Sequence, residues 1–424
     1  MNTRRRAILT HVPSWLKAIM VGTFGGLCAC DSLLKVSSPG NLTAEQLNDA
    51  KMAPVLQTGM LADFECAFQG YAYTSSVLTG EFDGTITARA DLIWYNRVID
   101  IDLTSGTITC TATGGAFLPL QTARFQAQTL YKLVKSLPAG SVDSTESLLG
   151  TSAAYAGYSF TLLGEAFCAM TVDIGPLMTR KETFDSAEFW LTEALAHTTS
   201  TEIRNMALVG RARARLNLGN AAGAFADASQ VPAGFARMIL GSTSTPRRQN
   251  QVYVHTIQNR EASVAPEYRG LTVNGVADTR VVATLSSQRG QDNVSPLWLQ
   301  QKYTALTAPR VLAGWKEAQL IIAEVRGGQE AVDAINRLRA SASLPPYSST
   351  DAAAIKAQVV EERRRELFLD GQRLGDMLRL NIPFRTGTTN KGEPYGNITC
   401  IPLPATERRV NPNLANYPLT TKPS

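Results

Sequence analysis

The most informative part of this 424-residue chain reads Glu362-Arg363-Arg364-Arg365-Glu366-Leu367-Phe368-Leu369-Asp370-Gly371-Gln372-Arg373, followed by Asp376 and Arg379. Acidic and basic side chains recur here every three or four residues, so opposite charges fall on adjacent turns of one helix. Any one of these residues could belong to a solvated face, but the set predicts a partly buried ion network. Arg373 and Arg379 are expected to bridge carboxylates and carbonyls where helix gives way to coil, because the guanidinium fork presents paired donors. Gly371 would relieve a close turn. The roles of Glu362, Arg363, Glu366, Asp370, Gly371, Arg373, Asp376 and Arg379 are therefore structural, not those of general acids or bases.

Outward from this point the chain is dominated by helical periodicity. Residues 351 to about 380 read as one charged helix, and 382–424 as a Pro- and Asn-rich coil. A near-heptad seam of Val311, Trp315, Ala318, Ile322 and Val325 continues through Ala331, Ile335 and Leu338, which gives helices over 309–340 before Leu344-Pro345-Pro346 forces a turn. Residues 151–230 read as helix-turn-helix pairs rich in Ala and Gly, with Gly219 as a helix stop. Small residues on facing helices permit close antiparallel approach, and units of this length resemble tetratricopeptide repeats; a generic helical bundle is the plainer alternative. Further helices are expected over 119–137 and over 44–66, the latter capped by Thr43. Between them, 68–115 reads as irregular and loop-rich. Residues 238–306 read likewise, with strand-like pieces at Val252–Ile257 and Leu271–Thr284.

The N-terminus sets the compartment. Arg4 to Arg6 precede the apolar stretch Ala18 to Leu27, which is too short to span a bilayer. It ends in Leu27-Cys28-Ala29-Cys30, which resembles a bacterial lipobox. Residues 1–29 are expected to be a signal peptide and Cys30 the acylated anchor, with palmitate-type chains holding the protein to the membrane. An ordinary signal peptide with a chance cysteine is the alternative. Residues 30–43 form a polar tether, and 44–424 a single domain. Asp31, directly after the anchor, is the residue that marks inner-membrane retention in enteric bacteria. Loss of Arg4, Arg5, Arg6 and Lys17 with the signal lowers the formal charge from +5 to about +1. A nearly neutral chain without a basic tract has no footprint for nucleic acid.

Four cysteines remain after the anchor: Cys66, Cys110, Cys168 and Cys400. In an oxidising envelope they can form two disulfides in any of three connectivities, or remain buried thiols. With no CxxC or Cys/His cluster, neither a metal nor another cofactor is expected. His197 and His255 sit in no nucleophile or zinc motif, and Thr113-Gly114-Gly115 lacks the Lys-Ser/Thr of a phosphate loop, so no catalytic residue is assigned.

With these residues in view, the C-terminal third resembles the SusD/RagB family. The matching pattern is Glu-Arg, Glu-Leu, acidic-Gly-x-Arg, Asp and a final Arg. It is flanked upstream by Ile335-Asn336 and Arg339-Ala340, and downstream by Ile401-Pro402-Leu403-Pro404, Glu407 and Asn411-Pro412-Asn413-Leu414. Leu163-Gly164-Glu165-Ala166-Phe167 with Gly175-Pro176-Leu177, and Ala207 to Asn220, are similar to earlier parts of the family. The resemblance implies a mainly α SusD-like fold of tetratricopeptide-like repeats with an irregular, small-β portion facing ligand. It also implies a non-enzymatic outer-membrane lipoprotein, exposed at the cell surface, that partners a SusC-like TonB-dependent transporter and captures a glycan, a peptide or another nutrient. By that analogy, candidate ligand contacts are Tyr73, Asp83, Trp94, Tyr95, Arg97, Trp298 and Tyr303, since aromatic faces stack on sugars while Asp or Arg fixes hydroxyls. The chain looks short for the family, which implies trimmed binding loops. A lipoprotein using its repeats purely as an assembly scaffold is the competing reading.

Overall fold

The computed structural model describes residues 49–99 and 109–415, all but the first within the unit Ala50–Ser424. Expectations for the signal peptide, Cys30, Asp31 and the tether lie outside the described residues.

The first long helix, α1 (Ala53–Leu78), carries Pro in its opening turn, where the missing N–H costs nothing. It begins later than residue 44 and runs well past Cys66, so Tyr71, Tyr73 and Thr74 are helical rather than in a loop. Its second half is buried on nearly every side, and tertiary burial overrides the poor helix propensity of Thr74-Ser75-Ser76-Val77. A short strand β1 (Phe82–Gly84) and helix α2 (Arg89–Tyr95) follow.

The repeat region comprises α3 (Phe117–Ser136), α4 (Thr145–Ala166), α5 (Arg180–His197), α6 (Thr201–Asn217) and α7 (Ala221–Ala228). Each start after α4 is set by a cap. Thr179 and Glu182 form a reciprocal capping box, Ser200 accepts from the Ile203 N–H, and Asn220 accepts from the Gly223 N–H. The small residues of α4 and α6 let the helices approach closely. A Cβ on Gly157 would lie 2.5 Å from Leu191 Cγ, and one on Gly210 would lie 2.7 Å from the Tyr158 ring. Tyr158 spans the gap to donate to the Met206 carbonyl at 2.8 Å. Gly219 ends α6 with φ +74°.

The middle portion carries β2 (Ala236–Ile239), β3 (Ala262–Val264), β4 (Thr272–Val273), β5 (Val276–Ala277), β6 (Ala283–Arg289), β7 (Pro296–Gln300) and β8 (Arg310–Gly314). They pair antiparallel as β1–β3, β2–β8, β4–β5 and β6–β7. Val252–Ile257 is not a strand. It is a helical turn, Gln251–Tyr253, continuing as a π-helix over Val254–Gln258. Asn250 caps it by accepting from the Tyr253 N–H, and Thr256 bonds back to the Val252 carbonyl at 2.6 Å.

Strand β8 leads into α8 (Trp315–Arg326) and α9 (Gly328–Ser341), so residues 310–314 are extended rather than helical. The charged stretch is two helices, α10 (Ala352–Glu366) and α11 (Arg373–Arg379), not one. Leu369 and Gly371 between them have φ +62° and +86°. A Cβ on Gly371 would lie 3.0 Å from Ala72 Cα, so the turn needs a glycine both for its conformation and for its approach to α1. Three buried groups hold this turn: Glu81 accepts from the Leu369 N–H, Ser75 donates to the Gly371 carbonyl, and Arg310 donates to the Leu369 carbonyl. A last short helix, α12 (Ala405–Val410), follows the C-terminal coil.

The ion network under α10 is extensive. Glu362, fully buried, accepts from Arg280 at 2.6 Å, Arg339 at 2.7 Å and Gln358 at 2.9 Å. Glu366 pairs with Arg280 and Lys316, and Asp370 pairs with Lys302 and accepts from Tyr303. Arg363 and Arg379 both bind Asp376, and Arg379 also pairs with Glu324. Arg373 departs from expectation: its Nε and Nη1 are buried without a hydrogen-bond partner among the described residues.

Two disulfides resolve the three connectivities. Cys66–Cys110 ties α1 to the segment before α3, and Cys168–Cys400 ties the exit of α4 to the C-terminal coil, with Cα separations of 5.6 and 5.1 Å. Beside the second, Phe167 bridges Ile401.

Candidate functional site

The seven candidate ligand residues separate by burial. Tyr73, on α1, stacks on His255 with ring centroids 4.1 Å apart and shares a hydroxyl–hydroxyl bond with Tyr95. Trp94 is buried over Gly114, where a Cβ would lie 2.2 Å from the indole. Gly114 therefore makes room for a core aromatic. Tyr303 is buried between Asp370 and the Arg310 guanidinium, which sits 4.5 Å from its ring centroid. These four aromatics are core residues in this conformation.

Asp83, Arg97 and Trp298 come together, and they gather four residues that sequence reasoning missed: Arg269, Phe384, Arg385 and Tyr395. Pairing of β1 with β3 fixes Asp83 opposite Ser263. The Ser263 hydroxyl accepts the Trp298 N–H at 2.9 Å and donates to the Pro296 carbonyl at 3.0 Å, docking β7 beside β3. Arg269 donates to the Val264 carbonyl at 2.8 Å, lies 3.6 Å from Asp83, and places its guanidinium 4.9 Å from the Trp298 ring centroid. On the other side of Asp83, Arg385 pairs at 2.7 Å and also contacts Glu267 at 3.2 Å. The Arg385 and Arg97 guanidiniums lie 5.3 and 5.4 Å from the Tyr395 ring centroid, and Arg97 is 5.3 Å from that of Phe384. Arg97, with φ +56°, donates to the Ile398 and Arg385 carbonyls.

The result is a strip of alternating aromatic and charged groups. Its backing (Asp83, Arg97) is buried, while Trp298, Arg269, Arg385, Tyr395 and Phe384 are partly exposed. Burial lowers the pKa of Arg269 and Arg97. For Arg385 burial acts the same way, but the hydrogen bond and charge of Asp83 outweigh it and raise the value. Burial raises Tyr395, which keeps its phenol a neutral donor. Partly exposed indole and phenol faces, flanked by fixed guanidiniums and a carboxylate, suit a ligand with apolar faces and equatorial hydroxyls. Arg269, itself anchored on the Val264 carbonyl, packs its guanidinium against the Trp298 ring.

Elsewhere, His255 bonds Glu261 and the Thr111 carbonyl, and His197 bonds Glu146 at 2.9 Å near the end of α5. Among the described residues no group of His, Cys, Asp and Glu could hold a metal, and no helix is long and apolar enough to cross a membrane.

Residues 317–419 match the model of the SusD family. The fold is that of solved SusD-like structures. A SusD superfamily protein from Bacteroides vulgatus ATCC 8482 aligns with a TM-score of 0.67 at 15% identity, covering 87% of this chain and 99% of that one. A SusD-like carbohydrate binding protein from the same organism aligns with a TM-score of 0.68 at 14% identity over 89% and 98% of the two chains. A laminarin binding SusD-like protein aligns with a TM-score of 0.59 at 13% identity over 84% and 96%. No curated protein matches the sequence. The segment 317–419 thus carries the sequence pattern of the SusD family, and the described residues adopt the fold of solved SusD superfamily structures. Those two solved chains are covered nearly to their full length.

Proposed function

We propose that this protein is a glycan-capturing surface lipoprotein that acts, without catalysis, as the partner of a TonB-dependent outer-membrane transporter. The observation that carries this reading is the strip centred on Trp298: partly exposed aromatics with anchored Arg and Asp groups, on a fold shared with a carbohydrate binding and a laminarin binding relative. Trp298 and Tyr395 supply stacking faces. Arg269 and Arg385, held in place by the buried Asp83, supply donors for hydroxyls. Acylation at Cys30 holds the protein at the membrane, and the helical repeats face the transporter. Titration calorimetry of the purified chain against soluble oligosaccharides, laminarin-derived and α-glucan among them, tests the reading. Saturable binding that Trp298→Ala weakens at least tenfold supports it. Absence of binding across a broad panel, or binding indifferent to Trp298 and Tyr395, refutes it.

A further inference from the structure

The Trp298 strip carries an excess of positive charge. Arg97, Arg269 and Arg385 gather there around the carboxylates of Asp83 and Glu267. Asp83 is engaged internally: one oxygen pairs with Arg385 at 2.7 Å, the other lies 3.6 Å from Arg269, and its side chain is only 7% exposed. Arg97 has no ion-pair partner among the described residues; it is buried against two carbonyls and the rings of Phe384 and Tyr395. A buried cation without a carboxylate costs free energy that a nearby anion offsets. Burial lowers the pKa of Arg269 and of Arg97, and the charge of Arg385 lowers each further.

Two of these guanidiniums are open to a ligand. The side chains of Arg269 and Arg385 are 23% and 26% exposed. Arg269 uses Nε on the Val264 carbonyl and turns Nη2 toward Asp83, while Arg385 uses Nη1 on Asp83 and Nε on Glu267. A guanidinium has five N–H donors, so Arg269 Nη1 and Arg385 Nη2 remain for an external acceptor. These groups belong to two cations held on the two oxygens of one carboxylate, beside the Trp298 ring. A hydroxyl can accept from one such N–H, but a carboxylate can accept from both and also offsets the excess charge.

We propose that Arg269 and Arg385 form an anion subsite through which the strip selects ligands bearing a carboxylate over neutral ligands of the same backbone. The inference rests on the strip being the ligand site. Calorimetry of the whole purified chain with matched pairs tests it: tetragalacturonate against the same oligomer with its carboxyls methyl-esterified, and an oligomannuronate against a mannan oligosaccharide of equal length. In the series that binds, the acid is expected to bind about tenfold tighter, as one hydrogen bond to a charged group gives. That advantage should shrink as sodium chloride rises from about 50 to about 500 mM. Arg269→Gln should remove most of it. Glu267→Gln, at an exposed position, takes away the competing carboxylate and should widen it. Equal binding of acid and neutral partner, or a preference that survives Arg269→Gln, overturns the anion subsite and leaves the strip standing as a glycan site. Binding of laminarin-derived or α-glucan oligosaccharides with neither acid bound overturns it in the same way. Failure of every oligosaccharide to bind refutes the strip itself, and the subsite with it.

Discussion

At the scale of the residue, what decides each assignment is not chemical type but what the side chain touches. Seven aromatic or charged residues were chemically suited to ligand, yet Tyr73, Trp94, Tyr95 and Tyr303 are packed inside. Large aromatics carry the greatest apolar area, so the core claims them first. Arg269, Arg385 and Tyr395 lie in irregular segments without periodicity, and no local pattern marked them; β3, whose Val264 carbonyl anchors Arg269, brings that residue to Asp83, and the C-terminal coil, held by Arg97, brings the other two. Trp298→Ala is predicted to reduce oligosaccharide affinity at least tenfold while shifting the melting temperature by no more than a few degrees. A large thermal loss without an affinity loss would make Trp298 a packing residue. Glu362 behaves oppositely. Removing its charge in Glu362→Ala leaves Arg280 and Arg339 buried without their shared carboxylate, a loss of about 3–5 kcal/mol in urea unfolding. Arg280 would retain Asp278 and Glu366, so the lower end of that range is expected.

Among elements, the helices of the repeats and the seam through α8 and α9 were legible because their apolar positions recur at three and four. Boundaries failed where burial is complete. The second half of α1 lacks an amphipathic stripe, since both faces are covered, and it therefore read as loop. Val252–Ile257 has β-branched residues at strand-like spacing, but the Asn250 cap turns it into a helix. The break between α10 and α11 was signalled by Gly371 alone. Close packing of α4 on α5 gives a direct test: Gly157→Ala places a methyl 2.5 Å from Leu191 Cγ and should cost about 1–3 kcal/mol by overpacking. A neutral effect in thermal melts would mean that the helices can separate freely. Removal of Cys168–Cys400, which spans 232 residues of sequence, in a Cys168→Ala, Cys400→Ala variant should lower stability by roughly 2–5 kcal/mol, read from urea unfolding against the parent.

For the molecule as a whole, a buried carboxylate links stability to pH. Burial pushes Glu165 up to about 7, only partly offset by the Arg213 charge. The folded chain thus holds this proton more tightly than the unfolded chain, whose Glu keeps the ordinary value of 4.5. The resulting stability is full below pH 4.5 and is lost as pH rises through about 7. The unfolding midpoint should therefore fall between pH 5 and 8, and Glu165→Gln should flatten that slope. An unchanged slope in the variant would exclude Glu165 as its source. The two disulfides suit an oxidising compartment, and the proposed anchor at Cys30 would hold the Trp298 strip at a membrane. Affinity purification of C-terminally tagged protein from native outer membranes, with mass spectrometry, tests that placement most directly. A TonB-dependent barrel in stoichiometric amount is the predicted result. Recovery of periplasmic or inner-membrane partners alone would contradict the uptake role and give weight to Asp31 as a retention signal.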